Sequence, residues 1–214
     1  MSRRPRRRVL YGGTFDPIHA AHIAVAVAAG HELGADVVSL IPAGDPPHKA
    51  DGPHVTGEHR LAMARAAATE HAILDVLDIE VRRPGTTYTI DTLEELLAGP
   101  CRGESLILLV GQDALQLLPT WRRARDVVSL VPIAVAPRPG APEPPWKRLQ
   151  EAIGDQATEA LRQHVLRTPM EDVSSTAIRA RAARGAPIRC WVPDPVADYI
   201  ERHRLYADRA PQRR

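Results

Sequence analysis

The sequence predicts an α/β fold: a doubly wound parallel sheet with helices on both faces and a small helical C-terminal part. Three observations carry that expectation. Strand-like and helix-like stretches alternate through the first two-thirds of the chain, the pattern of successive βαβ units. A short apolar run ending at Gly12 and Gly13 is followed, after Pro17, by an alanine-rich helical stretch, which reads as strand, tight turn and helix. Residues 105–110 form a continuous apolar run, as expected of a strand covered on both faces.

Each element has its own signal. Pro17 suits a first helical turn because its missing N–H is not needed there, and a helix is predicted over 18–33. A strand follows at 37–41, then a loop holding Pro46, Pro47, His48 and Lys49. Thr56 is placed to cap a helix running to about 68. Residues 73–81 read as a strand with an irregular centre at Asp75 and Asp78. The next helix opens within 86–93 and ends near Gly99. After the 105–110 strand, Gly111-Gln112-Asp113 starts a helix broken at Pro119. A strand is expected at 129–136, and 137–145, with five prolines and a glycine, is a loop. A helix over 146–164 is interrupted at Gly154. A short strand at 165–168 precedes a helix from Ser174 to about 184, and 193–203 forms a closing helix. Residues 8–206 are expected to form one domain, between a disordered basic arm (1–7) and a flexible tail (207–214).

The 214 residues suffice for one domain with a full core. Apolar content is 44% and charged content 25%, as in ordinary globular proteins, whereas aromatics are only 4%, so each Trp is worth attention. Arg3, Arg4, Arg6, Arg7 and Arg8 carry five positive charges, so a chain of net charge +2 has a slightly acidic remainder. Such an arm can bind nucleic acid, but one this short is more simply a solubilising tail. No apolar h-region follows it, and no run approaches the roughly 18 apolar residues of a membrane helix. Cys101 and Cys190 lack metal-ligand spacing, which fits a reducing cytoplasm.

In a parallel sheet, ligands sit beyond the carboxyl ends of the strands at the switch point. The turns at Gly12-Gly13, Pro46-Lys49, Gly111 and Ser174 all follow strand candidates and should gather at one edge. Glycines allow close backbone approach, and a helix N-terminus favours an anion. His19 and His22, three apart, share a helix face there. The chain has no P-loop, no G-x-G-x-x-G, and no acid ending the second strand candidate, so a dinucleotide fingerprint is unsupported. Two ligands at i, i+3 do not make a zinc site without a third and fourth, and none is evident. Ser174-Ser175-Thr176 with Arg179 one turn on can act as a plain cap or can grip a polyphosphate.

Together these motifs carry a resemblance. Gly12-Gly13-Thr14-Phe15-Asp16-Pro17-x-His19-x-x-His22 resembles the signature of the nucleotidyltransferase superfamily with the T/HxGH motif, the usual glycine being Ala21. Val173-Ser174-Ser175-Thr176-x-Ile178-Arg179 resembles its second signature, ISSTxxR. The stretches around Pro46-Pro47-His48-Lys49, Thr87-Tyr88-Thr89-x-Asp91-Thr92-Leu93, Gly111-x-Asp113 to Trp121, and Val192-Pro193 to Leu205-Tyr206 are similar to the bacterial nicotinate-mononucleotide adenylyltransferases.

The resemblance implies a Rossmann-like nucleotidyltransferase fold and transfer of AMP from ATP to nicotinate mononucleotide, with Mg²⁺ carried by the ATP phosphates rather than by protein side chains. His19 and His22 are then the catalytic donors. Gly13, Thr14, Phe15, His19, His22, Gly111, Asp113, Ser175, Thr176 and Arg179 are placed on ATP. Lys49, Thr86, Thr87, Tyr88, Thr89 and Trp121 are placed on nicotinate mononucleotide, with Lys49 on the phosphate and Trp121 over the pyridinium ring, a contact worth about 0.5–2 kcal/mol. The partners are therefore small molecules, with no membrane, nucleic acid not favoured, and a homo-oligomer left open. Two alternatives stand beside this: the same transfer to nicotinamide mononucleotide or phosphopantetheine, and a nucleic-acid-binding protein using the arginine arm.

Overall fold

The computed structural model describes residues 4–45, 54–169 and 173–207. Among them five strands form one parallel sheet: β1 (Arg7–Gly13), β2 (Val37–Pro42), β3 (Leu74–Val76), β4 (Ser105–Gly111) and β5 (Ile133–Ala136), in the order β3-β2-β1-β4-β5. β1 is central, and the chain leaves it outward to β2 and β3 before crossing back to β4, so the switch point lies between the ends of β1 and β4. The helices are α1 (Ala20–Glu32), α2 (Gly57–Ala68), α3 (Ile79–Arg82), α4 (Thr89–Ala98), α5 (Ala124–Leu130), α6 (Trp146–Ile153), α7 (Asp155–Gln163), α8 (Ser175–Ala183) and α9 (Asp194–His203).

The sheet is covered on both faces. Successive strand residues point to opposite sides. Val9, Val38, Leu40 and Leu109 pack in one cluster with residues of α1, α2, α8 and α9. Leu10, Leu108, Val110 and Val135 pack in a second with residues of α4 to α7. The continuous apolar reading of β4 is explained by this double burial.

Four expectations are corrected. The strand expected over 73–81 pairs with β2 only at Leu74–Val76. Leu77 N–H then bonds Leu40 O, and Asp78 opens the single turn α3, held by ion pairs to Arg65 and Arg82. The strand expected over 129–136 begins only at Ile133, because Ser129 and Leu130 finish α5, whose Val127 is fully buried. The helix expected after Gly111 is two short 3₁₀ helices, Gln112–Gln116 and Leu118–Thr120, with Pro119 second in the latter. The expected strand at 165–168 reduces to one bridge between Val165 and Val135.

The arginine arm is partly engaged. Arg7, assigned to the arm on sequence, is the first residue of β1, and Arg4 pairs with Asp36 at 2.8 Å. Arg8 is buried, 6% exposed, and donates to Glu104 (2.6 Å), Asp75 (2.7 Å) and Ser39 (2.6 Å). It ties three neighbouring strand regions together at the amino ends of the sheet. Removing Arg8 leaves Glu104, whose side chain is 15% exposed, without its buried partner, while Asp75 keeps access to water. Arg8→Ala should therefore lower unfolding stability by about 3 kcal/mol in urea titration; a loss near zero would show that the cluster is solvated.

Candidate active site

The site is built on the turn that leaves β1. Gly13 cannot carry a side chain there, since a Cβ would lie 2.6 Å from the Phe15 ring. Phe15 sits in the left-handed region at φ 50° and is 2% exposed. Its ring meets Tyr11 and His22 edge-to-face, with centroids 5.7 and 5.1 Å apart. Phe15, expected on ATP, is thus the wedge that shapes the turn, and its side chain lines neither cleft described below. Asp16 and Pro17, joined by a cis peptide bond, follow, and His19 N-caps α1.

The two signature motifs meet. Ser175 Oγ donates to Pro17 O at 3.0 Å, and Arg179 donates to Asp16 O at 2.8 Å and to Thr176 Oγ1 at 3.2 Å. The expectation that both turns share one rim of the sheet holds. In this structure Ser175 and Arg179 grip the first turn, while Thr176 is exposed.

Two clefts flank the carboxyl ends of β1 and β4. The larger, about 250 Å³, is lined by Gly12, Gly13, Thr14, Thr87, Tyr88, Thr89 and Trp121, with Glu80 and Arg122. The smaller, about 80 Å³, is lined by Tyr11, His19, Ala21, His22, Asp113 and Arg138. Gly111 borders both. Gly13 and Thr14, expected with ATP, therefore face the cleft that holds the Thr-Tyr-Thr residues and Trp121.

In the larger cleft, the first N–H groups of α4 have no carbonyl partner within the helix, and Tyr88 supplies no side-chain cap. Thr87 N–H does not join them, because it donates to Asp45 O at 3.1 Å. Its hydroxyl donates to Glu80 at 3.2 Å, and Thr92 donates to the same carboxylate at 2.9 Å. Burial pushes the Glu80 carboxyl above its ordinary value, against the hydrogen bonds from Thr92 and Thr87 and the charge of Arg83. Thr86 is exposed and bridges to Asp45 rather than lining the cleft. Arg122 lies over the Tyr88 ring at 4.9 Å.

In the smaller cleft, His19 and His22 stack at 3.6 Å between centroids. The backbone N–H of His19 donates to His22 Nδ1 at 3.3 Å, which assigns the ring proton of neutral His22 to Nε2. Burial lowers His19 to about 4, helped by Arg138. Burial also holds His22 well below its ordinary value, helped by His19 and Arg138. Asp113 is exposed and pairs with Arg138 at 2.7 Å. His19 Nδ1 is buried without a partner. Lys49 lies outside the described residues.

Sequence reasoning missed Arg138, Arg122, Glu80 and Arg60. Arg60 is 1% exposed and donates to Thr14 O (2.9 Å), Ala43 O (2.5 Å) and Gly44 O (2.9 Å), stapling the turn after β1 to the loop after β2. Its position among the buried Leu61, Met63 and Ala64 of α2 was the available signal.

The cytidylyltransferase-like family model matches residues 10–181. Curated relatives named probable nicotinate-nucleotide adenylyltransferase include that of Roseiflexus sp., 41% identical over 199 residues, covering 92% of this chain and 96% of the relative. That of Symbiobacterium thermophilum is 38% identical over 200 residues, covering 94% and 95%. This chain belongs to the nicotinate-nucleotide adenylyltransferase family. At the level of fold, it matches the nicotinic acid mononucleotide adenylyltransferase of Plasmodium falciparum solved with NaAD, with a TM-score of 0.71, 16% identity, and coverage of 94% of this chain and 97% of that one. The adenylyltransferase family assignment agrees with the resemblance drawn from the motifs.

The neutral histidines have a consequence for stability. An unfolded chain takes up protons at both imidazoles as pH falls below the ordinary 6.5, whereas folded His19 does so only near 4. Their contribution to stability is complete above pH 6.5 and is lost as pH falls from 6.5 toward 4. His19→Asn should flatten this part of the stability–pH curve in denaturant titrations; an unchanged slope would mean that His19 is charged or solvated in the fold.

Proposed function

We propose that the protein transfers AMP from ATP to nicotinate mononucleotide, giving deamido-NAD and pyrophosphate in NAD biosynthesis. The observation that carries this reading is the pair of clefts on either side of the β1 end, sharing Gly111, one with an aromatic and threonine-rich wall and one with two neutral imidazoles. A phosphate oxygen of the mononucleotide bonds to the α-phosphorus of ATP as the bond to the bridging oxygen of the β-phosphate breaks, and pyrophosphate leaves. Both reactants are polyanions, so the work is positioning and charge neutralisation.

The residues have matching roles in this reading. Nε2–H of His22 and the neutral imidazole of His19 donate to phosphate oxygens and strengthen as charge develops. Arg138 brings a full positive charge to the same cleft, and opening of its pair with Asp113 would free that carboxylate for a ribose hydroxyl. Arg179 and, from the loop after β2, Lys49 complete the phosphate contacts. Trp121 covers the pyridinium ring, and the free N–H groups at the start of α4 take the pyridine carboxylate, which a carboxamide NH₂ would meet donor against donor. The divalent ion that accompanies ATP neutralises phosphate charge. Asp113, the carboxylate lining that cleft, is already paired, so Mg²⁺ would be held by phosphate oxygens and water. Two cysteines without disulfide partners go with a cytoplasmic setting.

Mixing protein, ATP, Mg²⁺ and nicotinate mononucleotide should release pyrophosphate, and nicotinamide mononucleotide and phosphopantetheine should give far less. Folded His22→Ala should lose on the order of 10²–10³ in kcat. No release with any acceptor would reject the reading, and an undiminished His22→Ala would remove the donor role.

A further inference from the structure

The C-terminal motif ending in Tyr206 is not used by the reaction as written, yet it reaches the centre of the site. Past α9 the chain turns through two left-handed residues, Arg204 (φ 50°) and Tyr206 (φ 62°). This turn delivers the Tyr206 hydroxyl to Asp16 Oδ1 at 2.7 Å, across 190 positions of sequence. Asp16 is 1% exposed, and its other oxygen accepts from His54 N–H at 2.7 Å. Asp16 lies in the turn between the strained Phe15 and His19. Trp191 O, just before α9, also accepts from Ala20 N–H at 2.9 Å, in the first residue of α1. The C-terminal segment therefore holds both ends of the piece that carries His19.

A left-handed non-glycine residue is strained and persists only where its surroundings enforce it. The Asp16 carboxylate, buried and bonded at both oxygens, is the side-chain anchor doing so inside the turn itself. We infer that Tyr206 is a positioning residue for adenylyl transfer, acting through Asp16 to fix the 14–19 turn so that His19 and His22 meet the triphosphate. The inference rests on the adenylyltransferase reading. Tyr206 lines neither cleft, so its loss should leave the Thr87–Trp121 wall intact and act on turnover.

The test compares Tyr206→Phe, which deletes one oxygen, with Tyr199→Phe. Tyr199 sits on α9 and bonds His59 Nδ1 at 3.0 Å, away from the turn. Tyr206→Phe should lower kcat about tenfold with the KM for nicotinate mononucleotide unchanged. It should also speed amide hydrogen exchange at residues 14–20, while Tyr199→Phe does neither. In a cycle with Asp16→Asn, the double variant should be little slower than the slower single variant. Equal kcat losses for Tyr206→Phe and Tyr199→Phe, additive losses in the cycle, or unchanged exchange in the turn would overturn the inference. The exchange readout needs no turnover, so a wild-type protein inactive on nicotinate mononucleotide would reject the functional reading and still decide whether the clamp exists.

Discussion

The structure depends on how a strained six-residue turn is held. Residues 14–19 must leave the central strand, pass a left-handed Phe15 and present His19 at the start of α1. Backbone with that much local strain does not hold itself. Its carbonyls are gripped by Arg60 from α2 and by Ser175 and Arg179 from α8, and its one carboxylate by Tyr206 from beyond α9. Each grip comes from a different segment of the chain, so the complete fold is needed to make the site.

The sheet supplies the rest of the geometry. Because β1 and β4 are neighbours whose chains depart in opposite directions, their carboxyl ends leave a crevice with a wall on each side. Gly12, Gly13 and Gly111 keep its floor low. The two clefts then differ in chemistry. One is lined by threonines, Trp121 and a half-buried acid, Glu80, and the other by stacked imidazoles with an arginine. Burial keeps those imidazoles neutral, so they act as hydrogen-bond donors instead of competing cations, with the His22 proton fixed on Nε2 by the His19 N–H.

Much of this was legible in the chain. Gly12-Gly13, the i, i+3 histidines and the Ser174 cap are local patterns, set by turn sterics and helix spacing, and they appeared where expected. β2 and β4 were legible because double burial writes itself as an apolar run. The failures have equally local causes. Residues 73–81 looked like a strand because edge pairing for three residues and one helical turn share the same apolar content. Residues 129–136 blurred the buried face of α5 into β5. What no local pattern could reveal was the use of donors at a distance: Thr87 N–H already engaged by Asp45, Arg60 spent on three carbonyls, Arg179 turned onto a carbonyl, and Tyr206 closing on Asp16. Arg138 was hidden in a proline-rich loop that matched no motif.

The central claim is that the end of β1 separates two nucleotide halves, with the bond-forming phosphates passing over Gly12, Gly13 and Gly111. A crystal structure of the protein with deamido-NAD tests it most directly. The account predicts the nicotinate half between Trp121 and the start of α4, and the adenylyl half beside His19, His22 and Asp113. A product lying wholly on one side of the β1 end, with the histidines out of reach of its phosphates, would contradict it.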